Sequence, residues 1–198
     1  MMKDRSTTEY KSALSSVLDD IRSLINLSNR LLLIARTSAE GPDLYNKKIR
    51  IDEILWQAQE EIIRYNNTYR INISIDNSLT DSDQMIVAGD DYLLKVAVSN
   101  LIDNACKYSS DHTVDIKFRH IEKYIQVLFA DRGIGISDED QKKIFEPFYR
   151  GTNANSISGS GIGLPLVNQI IKNHNGTVKI LSQIGKGTNV TIMLPTVT

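Results

Sequence analysis

The sequence predicts an α/β fold, in which helices cover a sheet, with a long helix in front of it. Period-two alternation of apolar residues, as at Ile71, Ile73 and Ile75, predicts half-buried strands. The 198 residues are enough for one domain of about 150 residues with an appendage. Four segments have helical character. They are residues 6–37, a segment after Asp52 that includes Ile62, residues 91–108, and a segment that follows residues 158–164 and ends near His174.

Composition excludes several classes of protein. The hydrophobic fraction of 41% supports a core, and a formal net charge of -1 gives no general attraction to nucleic acid or anionic lipid. Cys106 is the only cysteine, so there is no internal disulfide. No apolar run approaches the ~18 residues of a membrane-spanning helix, and no signal peptide opens the chain. We therefore expect a cytoplasmic protein without a nucleic-acid partner, which would meet a membrane only through a parent chain.

The N-terminal segment predicts a helix that belongs to a bundle. Residues 6–9, Ser-Thr-Thr-Glu, are typical of a capping box, and the helix should end near Thr37, before Gly41 and Pro42. About three positions in seven are apolar, a wider stripe than a two-stranded coiled coil needs. The alternative is a long helix packed on its own domain. The heptad positions are Leu14, Leu18, Ile21, Ile25, Leu32 and Ala35.

Polar stretches and caps predict the remaining boundaries. Residues 41–51 read as a polar linker, and residues 52–198 as a second domain. Asp52 should cap the first helix of that domain, and Asp90 or Asp91 should cap the central one. Strands are expected at residues 69–75, 85–87, 113–118, 124–130, 177–184 and 189–194, with a polar loop at 77–84 and a hairpin turn at 185–188.

The central helix carries one polar and one apolar stripe. Asn100, Asn104 and Lys107 recur at spacings of four and three, which aligns two amides and one ammonium along one side of a helix. Such a stripe faces either solvent, which is common, or a ligand. The apolar stripe that would hold this helix against a sheet consists of Leu94, Ala97, Leu101 and Ala105.

One aspartate is predicted to point toward the core. Asp131 follows a strand whose inward face includes Val127 and Phe129, and a period of two places it on that same face. An inward carboxylate needs a hydrogen-bond donor, because an unpaired buried charge costs on the order of several kcal/mol. A ligand amino group would serve. Gly133 and Gly135 lack a Cβ, which permits positive φ and close approach of a flat ligand, although a plain turn is the alternative.

Two consecutive segments predict a lid and an anion site. Residues 151–160 are small and polar, so they cannot bury enough surface to order themselves and should be mobile without ligand. Phe145 and Phe148, which precede them, should pack down. Gly159, Gly161 and Gly163 then lead into a helix, whose N-terminal N–H groups suit a phosphate. The glycine spacing differs from the Rossmann fingerprint, and no Lys-Ser or Lys-Thr follows as in a Walker loop.

Together these motifs resemble those of a known family. Residues 52–195 resemble the ATP-binding catalytic domain of bacterial sensor histidine kinases, within the wider family of gyrase B, Hsp90 and MutL. The resemblance implies a Bergerat-type α/β two-layer sandwich, with a mixed sheet covered on one face by helices, that binds ATP and Mg²⁺. The boxes occur in the family's order: the Asn box at residues 100–108, Gly boxes at 131–135, 159–163 and 185–188, and the Phe box at 145–148.

At the adenine end, the resemblance implies roles for three residues. Asp131 would accept a hydrogen bond from the adenine amino group, assisted by Thr188, and Tyr108 would lie along the adenine. The whole nucleotide-binding set that the resemblance implies is Asn100, Asn104, Lys107, Tyr108, Asp131, Gly133, Gly135, Phe145, Phe148, Arg150, Gly159, Ser160, Gly161, Ile162, Gly163, Leu164 and Thr188.

At the phosphate end, it implies a metal site and a catalytic set. Asn104, with Asn100, would bind the Mg²⁺ that bridges the phosphates, because a hard cation suits amide and phosphate oxygens together with waters. Lys107 and Arg150 would contact phosphate oxygens, and so would N–H groups of the second Gly box. These four side chains form the expected catalytic set.

One residue separates two branches of the family. In gyrase, Hsp90 and MutL, the residue four before the metal-binding asparagine is a glutamate that activates water, whereas this chain has Asn100 there. A neutral amide cannot take a proton, so water lacks its general base. The resemblance therefore implies transfer of the phosphoryl group to a protein, by positioning and charge neutralisation.

The expected acceptor is missing from the sequence. In sensor kinases it is a histidine followed by an acidic residue near the middle of the first helix of a dimerisation hairpin. None of the three histidines fits that description. His112 falls in a predicted loop, His120 ends a predicted strand, and His174 lies in the last turn of a predicted helix, where a cation suits the helix dipole. Residues 6–37 instead resemble the second helix of the hairpin, so we expect the acceptor helix to lie outside these 198 residues. The expected partners are that hairpin of the parent kinase, a response-regulator receiver domain, and a second copy bound through the N-terminal helix.

Two other functions remain as alternatives. The first is a serine kinase of the anti-sigma type, which also sequesters a transcription factor but does not usually carry a long bundle helix. The second is a nucleotide-binding scaffold without kinase activity, which the intact boxes disfavour.

Overall fold

A mixed five-stranded sheet is the centre of the fold in the computed structural model. The structure describes residues 7–39, 47–76, 85–154 and 157–197. The helices are α1 Thr7–Ala39, α2 Ile51–Tyr65, α3 Asp91–Tyr108, α4 Asp138–Gln141 and α5 Gly163–Asn173. The strands are β1 Lys47–Arg50, β2 Arg70–Ile75, β3 Ile86–Gly89, β4 Ser109–Ile121, β5 Tyr124–Gly133, β6 Thr177–Gln183 and β7 Gly187–Pro195.

The strand order of the sheet is β2-β4-β5-β7-β6, while β1 and β3 pair separately with each other. β2 runs parallel to β4, and the other neighbours are antiparallel, so the sheet is mixed. Residues of α2, α3 and α5 share one hydrophobic core with the inner face of this sheet. The predicted α/β sandwich of one helical layer on a mixed sheet is confirmed.

The predicted apolar stripes form this core. Ile125, Val127 and Phe129 of β5 are each at most 1% exposed. Asp90 begins α3 as its cap, since its Oδ1 accepts a hydrogen bond from Leu93 N at 2.9 Å. Burying one large apolar side chain contributes about 1.5–3 kcal/mol, which holds α3 against the sheet and leaves its polar stripe on another side. The apolar stripe of α3 is buried: Leu94, Ala97, Leu101 and Ala105.

The expected linker is partly wrong, because its last residues form a strand. Lys47–Arg50 is β1, which pairs antiparallel with β3 and buries Ile49. The short strand expected at 85–87 is therefore present as β3, but outside the main sheet. Residues 41–46 of the expected linker and the expected loop at 77–84 lie outside the described residues.

The expected cap of α2 is also wrong. The helix begins at Ile51, one residue before Asp52, and the residue at its cap position, Arg50, makes no side-chain capping bond. Asp52 lies in the first turn, where it accepts a hydrogen bond from Arg50 Nη2 at 2.7 Å. The helix dipole and the adjacent guanidinium of Arg50 stabilise the carboxylate of Asp52 in this position, although it does not cap the helix.

Helix α1 changes environment along its length. Most of its described apolar residues before position 33 are exposed, with Leu24 at 64%. Leu33 and Ile34 pack on the core of the adjacent domain, and Thr37 is fully buried. Asn173 Nδ2 of α5 donates to Thr37 O at 2.5 Å. The exposed stripe thus matches the bundle interpretation, whereas the last turns match the alternative of packing on the adjacent domain.

The ends of α1 test the sequence prediction only in part. The helix ends at Ala39, two residues after the expected Thr37. The side chains of the expected capping box at residues 6–9 lie outside the described part of the structure. None of the described helices is both long and apolar enough to span a membrane.

His174 follows α5, but it is not the cation that the sequence predicts at a helix end. Its Nε2 accepts a hydrogen bond from Asp90 N at 3.0 Å, and its Nδ1 donates to Ile170 O at 2.7 Å. The bond that Nε2 accepts needs the neutral ring with its proton on Nδ1, and burial lowers the pKa of His174. The residue instead joins the end of α5 to the start of α3.

Candidate functional site

A cleft lies among α3, α5, the segment before α5 and the β5–β7 part of the sheet, and most residues singled out from the sequence line it. The structure thus gathers motifs that are far apart along the chain. The predicted residues that line the cleft are Asn104, Lys107, Tyr108, Asp131, Gly135, Arg150, Gly159, Ser160, Gly161, Gly163, Leu164 and Thr188. The predicted residues outside its lining are Asn100, Gly133, Phe145, Phe148 and Ile162.

Asp131 offers a carboxylate at one end of the cleft. Gly133 N and Thr188 N donate to its Oδ1 at 2.9 and 3.1 Å. Burial raises the pKa of Asp131 to about 6, and the two backbone hydrogen bonds oppose that rise. Both bonds end on Oδ1, so Oδ2 remains for a ligand that donates a hydrogen. The structure places this residue on the inward side, as its sequence parity indicates.

The glycines around Asp131 serve backbone packing more than ligand approach. A Cβ on Gly133 would lie 2.0 Å from Tyr108 O, and a Cβ on Gly187 would lie 2.0 Å from Asp131 O. Gly135 has a φ of +68° and lines the cleft, but a Cβ there would meet Gln183 O at 2.0 Å. At both Gly133 and Gly135 the close neighbour is protein backbone, and the expected approach of a flat ligand stays a prediction.

Lys107 and Tyr108 form a side wall. A Cβ on Gly159 would lie 3.5 Å from Lys107 Nζ and 3.6 Å from Tyr108 Oη, so both side-chain tips face this glycine. Burial lowers the pKa of Lys107, the cations Arg150 and Arg30 lower it further, and Asp103 opposes them. An anion in the cleft would relieve this repulsion between cations and favour the charged ammonium.

The asparagines meet the start of α5 at the other end of the cleft. Asn100 is 8% exposed, and its Nδ2 donates to Val96 O at 2.7 Å, which directs Oδ1 away from α3. A Cβ on Gly163 would lie 3.1 Å from Asn100 Oδ1 and 3.6 Å from Asn104 Nδ2. The first N–H groups of a helix lack intrahelical partners, so this end suits a phosphate. Amide oxygens beside a phosphate are a donor set that fits Mg²⁺.

Arg150 holds the backbone of the expected lid. Its Nη2 donates to Ala154 O and Ile157 O, and its Nε is buried without a hydrogen-bond partner among the described residues. A 3-10 turn, Thr152–Ala154, buries Ala154 at 9% exposure. These contacts hold the start of the segment expected to be mobile, and its residues 155–156 lie outside the described part. Arg150 also lines the cleft, where its charge acts on Lys107.

Phe148 of the Phe box does not pack down as the sequence predicts. Phe148 is 59% exposed and has a φ of +68°. Its backbone N donates to Gly161 O at 3.0 Å, and a Cβ on Gly161 would lie 2.7 Å from Phe148 C. The backbone, and not the ring of Phe148, therefore joins this box to the second Gly box. Ile144, at 7% exposure, lines the cleft instead.

Sequence reasoning missed Asp140, which organises the start of the lid. It is 3% exposed; Tyr149 Oη donates to its Oδ1 at 2.6 Å, and Thr152 N donates to its Oδ2 at 3.2 Å. The hydrogen bond from Tyr149 is the main reason why the pKa of Asp140 lies below its usual value. A signal was present, because Ser137 three residues earlier caps α4 by accepting from Asp140 N at 3.1 Å.

Sequence reasoning also missed Arg30. It lies on α1, in a segment interpreted only as part of a bundle, yet it lines the cleft. No local motif marks this arginine, because its position depends on how α1 packs on α5.

Comparisons with known proteins agree with this geometry. The sequence model of the family described as histidine kinase-, DNA gyrase B-, and HSP90-like ATPase matches residues 89–198. The sensor-like histidine kinase SenX3 of Mycobacterium tuberculosis is 39% identical over 127 residues, which cover 63% of this chain and 31% of that protein. The sensor protein CiaH of Streptococcus pneumoniae is 31% identical over 191 residues, which cover 91% of this chain and 40% of that protein. The chain thus spans between 31% and 40% of the length of these relatives.

Solved structures share the fold. The mycobacterial sensor histidine kinase MprB has a TM-score of 0.65 at 25% identity, over 76% of this chain and 97% of that one. Full-length ShkA in complex with AMPPNP has a TM-score of 0.78 at 22% identity, over 98% of this chain and 40% of that one. The second match extends over α1 as well as the sandwich.

Proposed function

This chain belongs to the histidine kinase-, DNA gyrase B- and HSP90-like ATPase family, and within it we propose that it is the ATP-binding, phosphoryl-donating part of a two-component sensor histidine kinase. The CiaH match covers 191 residues and so includes most of α1, which supports a sensor kinase over an anti-sigma-type serine kinase. The proposed organisation is a bundle helix in residues 1–40 and a catalytic domain in residues 52–198, to which β1 adds a strand.

One observation carries the proposal: a carboxylate acceptor and a helix N-terminus occupy the same cleft. At one end, Asp131 Oδ2 would accept a hydrogen bond from the adenine amino group, with Thr188 N holding the other oxygen. At the other end, the start of α5 at Gly163 faces the two asparagine amides of α3. The wall between carries Lys107, whose ammonium would contact phosphate oxygens.

Asn104 and Asn100 would hold Mg²⁺ together with the phosphates and waters. Among the described residues, no group of three or more His, Cys, Asp or Glu side chains could hold a metal, so amide and phosphate oxygens would supply the ligands. When bound, the ion would neutralise negative charge on the phosphates. Asn100 is already oriented for this role, because its Nδ2 is committed to Val96 O.

The site favours a protein acceptor over water. Asn100 presents an amide, which cannot remove a proton from an attacking water. The phosphoryl group would pass to a histidine on the dimerisation hairpin of the parent kinase and then to a response-regulator receiver domain, in the cytoplasm. The exposed apolar stripe of α1, with Leu24 at 64% exposure, would pair in that bundle and with a second copy.

Labelling with γ-labelled ATP tests the proposal. The chain alone should bind Mg-ATP, hydrolyse it very slowly and leave His112, His120 and His174 unlabelled. A separately supplied hairpin with the parent acceptor histidine should become labelled with acid-labile, base-stable phosphate, because only proximity is lacking.

Two results would contradict it. Robust labelling of one of the chain's own histidines would show that the acceptor has been misplaced. Acid-stable phosphate on the serine of a partner would favour the anti-sigma-type kinase. Calorimetry with Mg-ADP provides the control that the cleft binds nucleotide in the protein sample.

A further inference from the structure

Near the C-terminal end of α1, one face of the helix packs against the ATP-binding domain. Arg30, Leu33, Ile34 and Thr37 follow the three- and four-residue spacing of a single helix face. Leu33 and Ile34 pack on the core, and Thr37 is fully buried against α5. Arg30 continues this face toward the N-terminus of α1.

The contacts give the direction of α1 relative to α5. Thr37 O accepts a hydrogen bond from Asn173 Nδ2, at the last residue of α5. Arg30 lies seven residues earlier, about 10 Å along the helix axis. It lines the cleft together with Gly163 and Leu164, at the first residues of α5. The two helices therefore run in the same direction, and Arg30 comes to the phosphate end of the cleft.

The guanidinium of Arg30 is not committed to another group. It is half-buried, and within the described parts of the chain it makes no hydrogen bond and no ion pair. The other cations that line the cleft are Lys107 and Arg150, and Arg150 already donates to the lid backbone. The positive charge of Arg30 is felt across the cleft, since it contributes to the lowered pKa of Lys107.

We propose that Arg30 is a phosphate-binding residue supplied by α1, whose guanidinium contacts the terminal phosphate of ATP. A planar guanidinium fork matches two phosphate oxygens, and Arg30 comes from an element outside the sandwich, beside the start of α5. ATP then holds the end of α1 against α5, and ADP does not reach Arg30. This inference rests on the proposed function, because it assumes that nucleotide occupies the cleft.

Calorimetry with two nucleotides separates the contribution of Arg30 from general effects. Mg-AMPPNP carries a third phosphate group and Mg-ADP does not. In Arg30→Gln, affinity for Mg-AMPPNP should fall by about three- to tenfold at low salt, with affinity for Mg-ADP changed by less than about twofold. Lys11→Gln is the matched control, because it removes an exposed cation near the start of the same helix. It should change neither affinity.

Hydrogen exchange gives a second readout that needs no variant. Amides of residues 27–37 should exchange more slowly with Mg-AMPPNP than with Mg-ADP, because coupling between phosphate binding and helix docking is reciprocal. Arg30→Gln should abolish that difference. Equal protection with both nucleotides would overturn the inference.

The outcomes distinguish this inference from the proposed function. If the unmodified chain binds neither nucleotide, the proposed function fails. If it binds both, and Arg30→Gln leaves both affinities unchanged or weakens both equally, only the role of Arg30 fails. A misfolded variant would lose Mg-ADP as well, so a selective loss of Mg-AMPPNP cannot come from unfolding.

Discussion

The two ends of the cleft, the proposed base end at Asp131 and the proposed phosphate end at Gly163, are built differently. At the base end, Asp131 lies on β5 and is held by backbone N–H groups of Gly133 and Thr188. At the phosphate end, the groups come from α3, α5, the lid and α1. Asp140 of α4 holds the start of the lid, and Asn173 of α5 holds α1 through Thr37 O. A base site fixed by strand pairing cannot move without breaking the sheet. A phosphate site made of separate elements can open, and can respond to what it binds.

The largest expected effect is a loss of stability, caused by adding a side chain at Gly187, where the backbone contacts Asp131. Gly187 has a φ of +95°, and a Cβ there would lie 2.0 Å from Asp131 O. Gly187→Ala should therefore lower the free energy of unfolding by more than the roughly 1–2 kcal/mol that a left-handed conformation alone costs a non-glycine residue. Chemical denaturation monitored by circular dichroism measures it.

Gly185→Ala is the matched control in the same hairpin. Gly185 has a φ of +72° but nothing within 4 Å of its would-be Cβ, so only the conformational cost applies. Equal destabilisation by the two substitutions would mean that the base end is not held by this close packing.

The next effect concerns recognition of the base. Asp131→Asn replaces a charged acceptor by an amide that can present its N–H₂ group to the ligand. Losing a charge-assisted hydrogen bond costs on the order of 1.5–3 kcal/mol, so affinity for Mg-ADP should fall about tenfold or more. Calorimetric titration measures it, and unchanged affinity would remove Asp131 from the base site.

The pKa of Asp131 makes the same contact dependent on pH. Burial raises that pKa to about 6 in the free protein, and a ligand that donates to the carboxylate binds the deprotonated form. Affinity for Mg-ADP should be constant well above pH 6 and should fall as pH drops through 6, by up to about tenfold per unit. Asp131→Asn carries no titrating carboxyl and shares the titration of the phosphates, so the difference between the two pH profiles isolates Asp131. Parallel profiles would contradict the assignment.

The sequence predicted the position of Asp131 at the base end, but it did not predict two residues near the phosphate end, Asp140 and Arg30. The inward position of Asp131 follows from the period of a strand, and the buried stripe of α3 follows from the period of a helix, so neighbouring residues suffice to predict both. Asp140 and Arg30 depend on contacts between separate elements. Arg30 reaches the cleft because α1 packs on the core through Leu33 and Ile34 and because Thr37 O, seven residues after Arg30, accepts a hydrogen bond from Asn173 of α5.

The wrong expectations for His174 and Phe148 have the same physical origin. His174 reads as a cation at a helix end, but Asp90, which is distant in sequence, donates to its ring and requires the neutral form. Phe148 reads as a residue that packs down, but the backbone bond to Gly161 leaves its ring 59% exposed. In both cases, a partner distant in the chain overrides the local preference.

The smallest and most local effect should be faster hydrogen exchange at the start of the lid when its hydrogen bond to Asp140 is removed. Tyr149 Oη donates to Asp140 Oδ1 at 2.6 Å, while Asp140 Oδ2 accepts from Thr152 N. Tyr149→Phe removes the first bond and leaves a buried carboxylate with fewer donors. In the unmodified chain, amides of residues 151–154 should exchange faster than those of residues 94–105. In Tyr149→Phe, amides of residues 151–154 should exchange several-fold faster still.

Tyr124→Phe is the control for that measurement, since Tyr124 is 41% exposed at the start of β5. It should leave exchange in the lid unchanged, and both variants should leave amides of β5 and β7 as slow as before. If Tyr149→Phe accelerated exchange in those strands to the same extent, the two ends of the cleft would form one cooperative unit. The difference in construction between them would then have no dynamic consequence. Acceleration confined to the lid means that the phosphate end opens while Asp131 stays in place to hold the base.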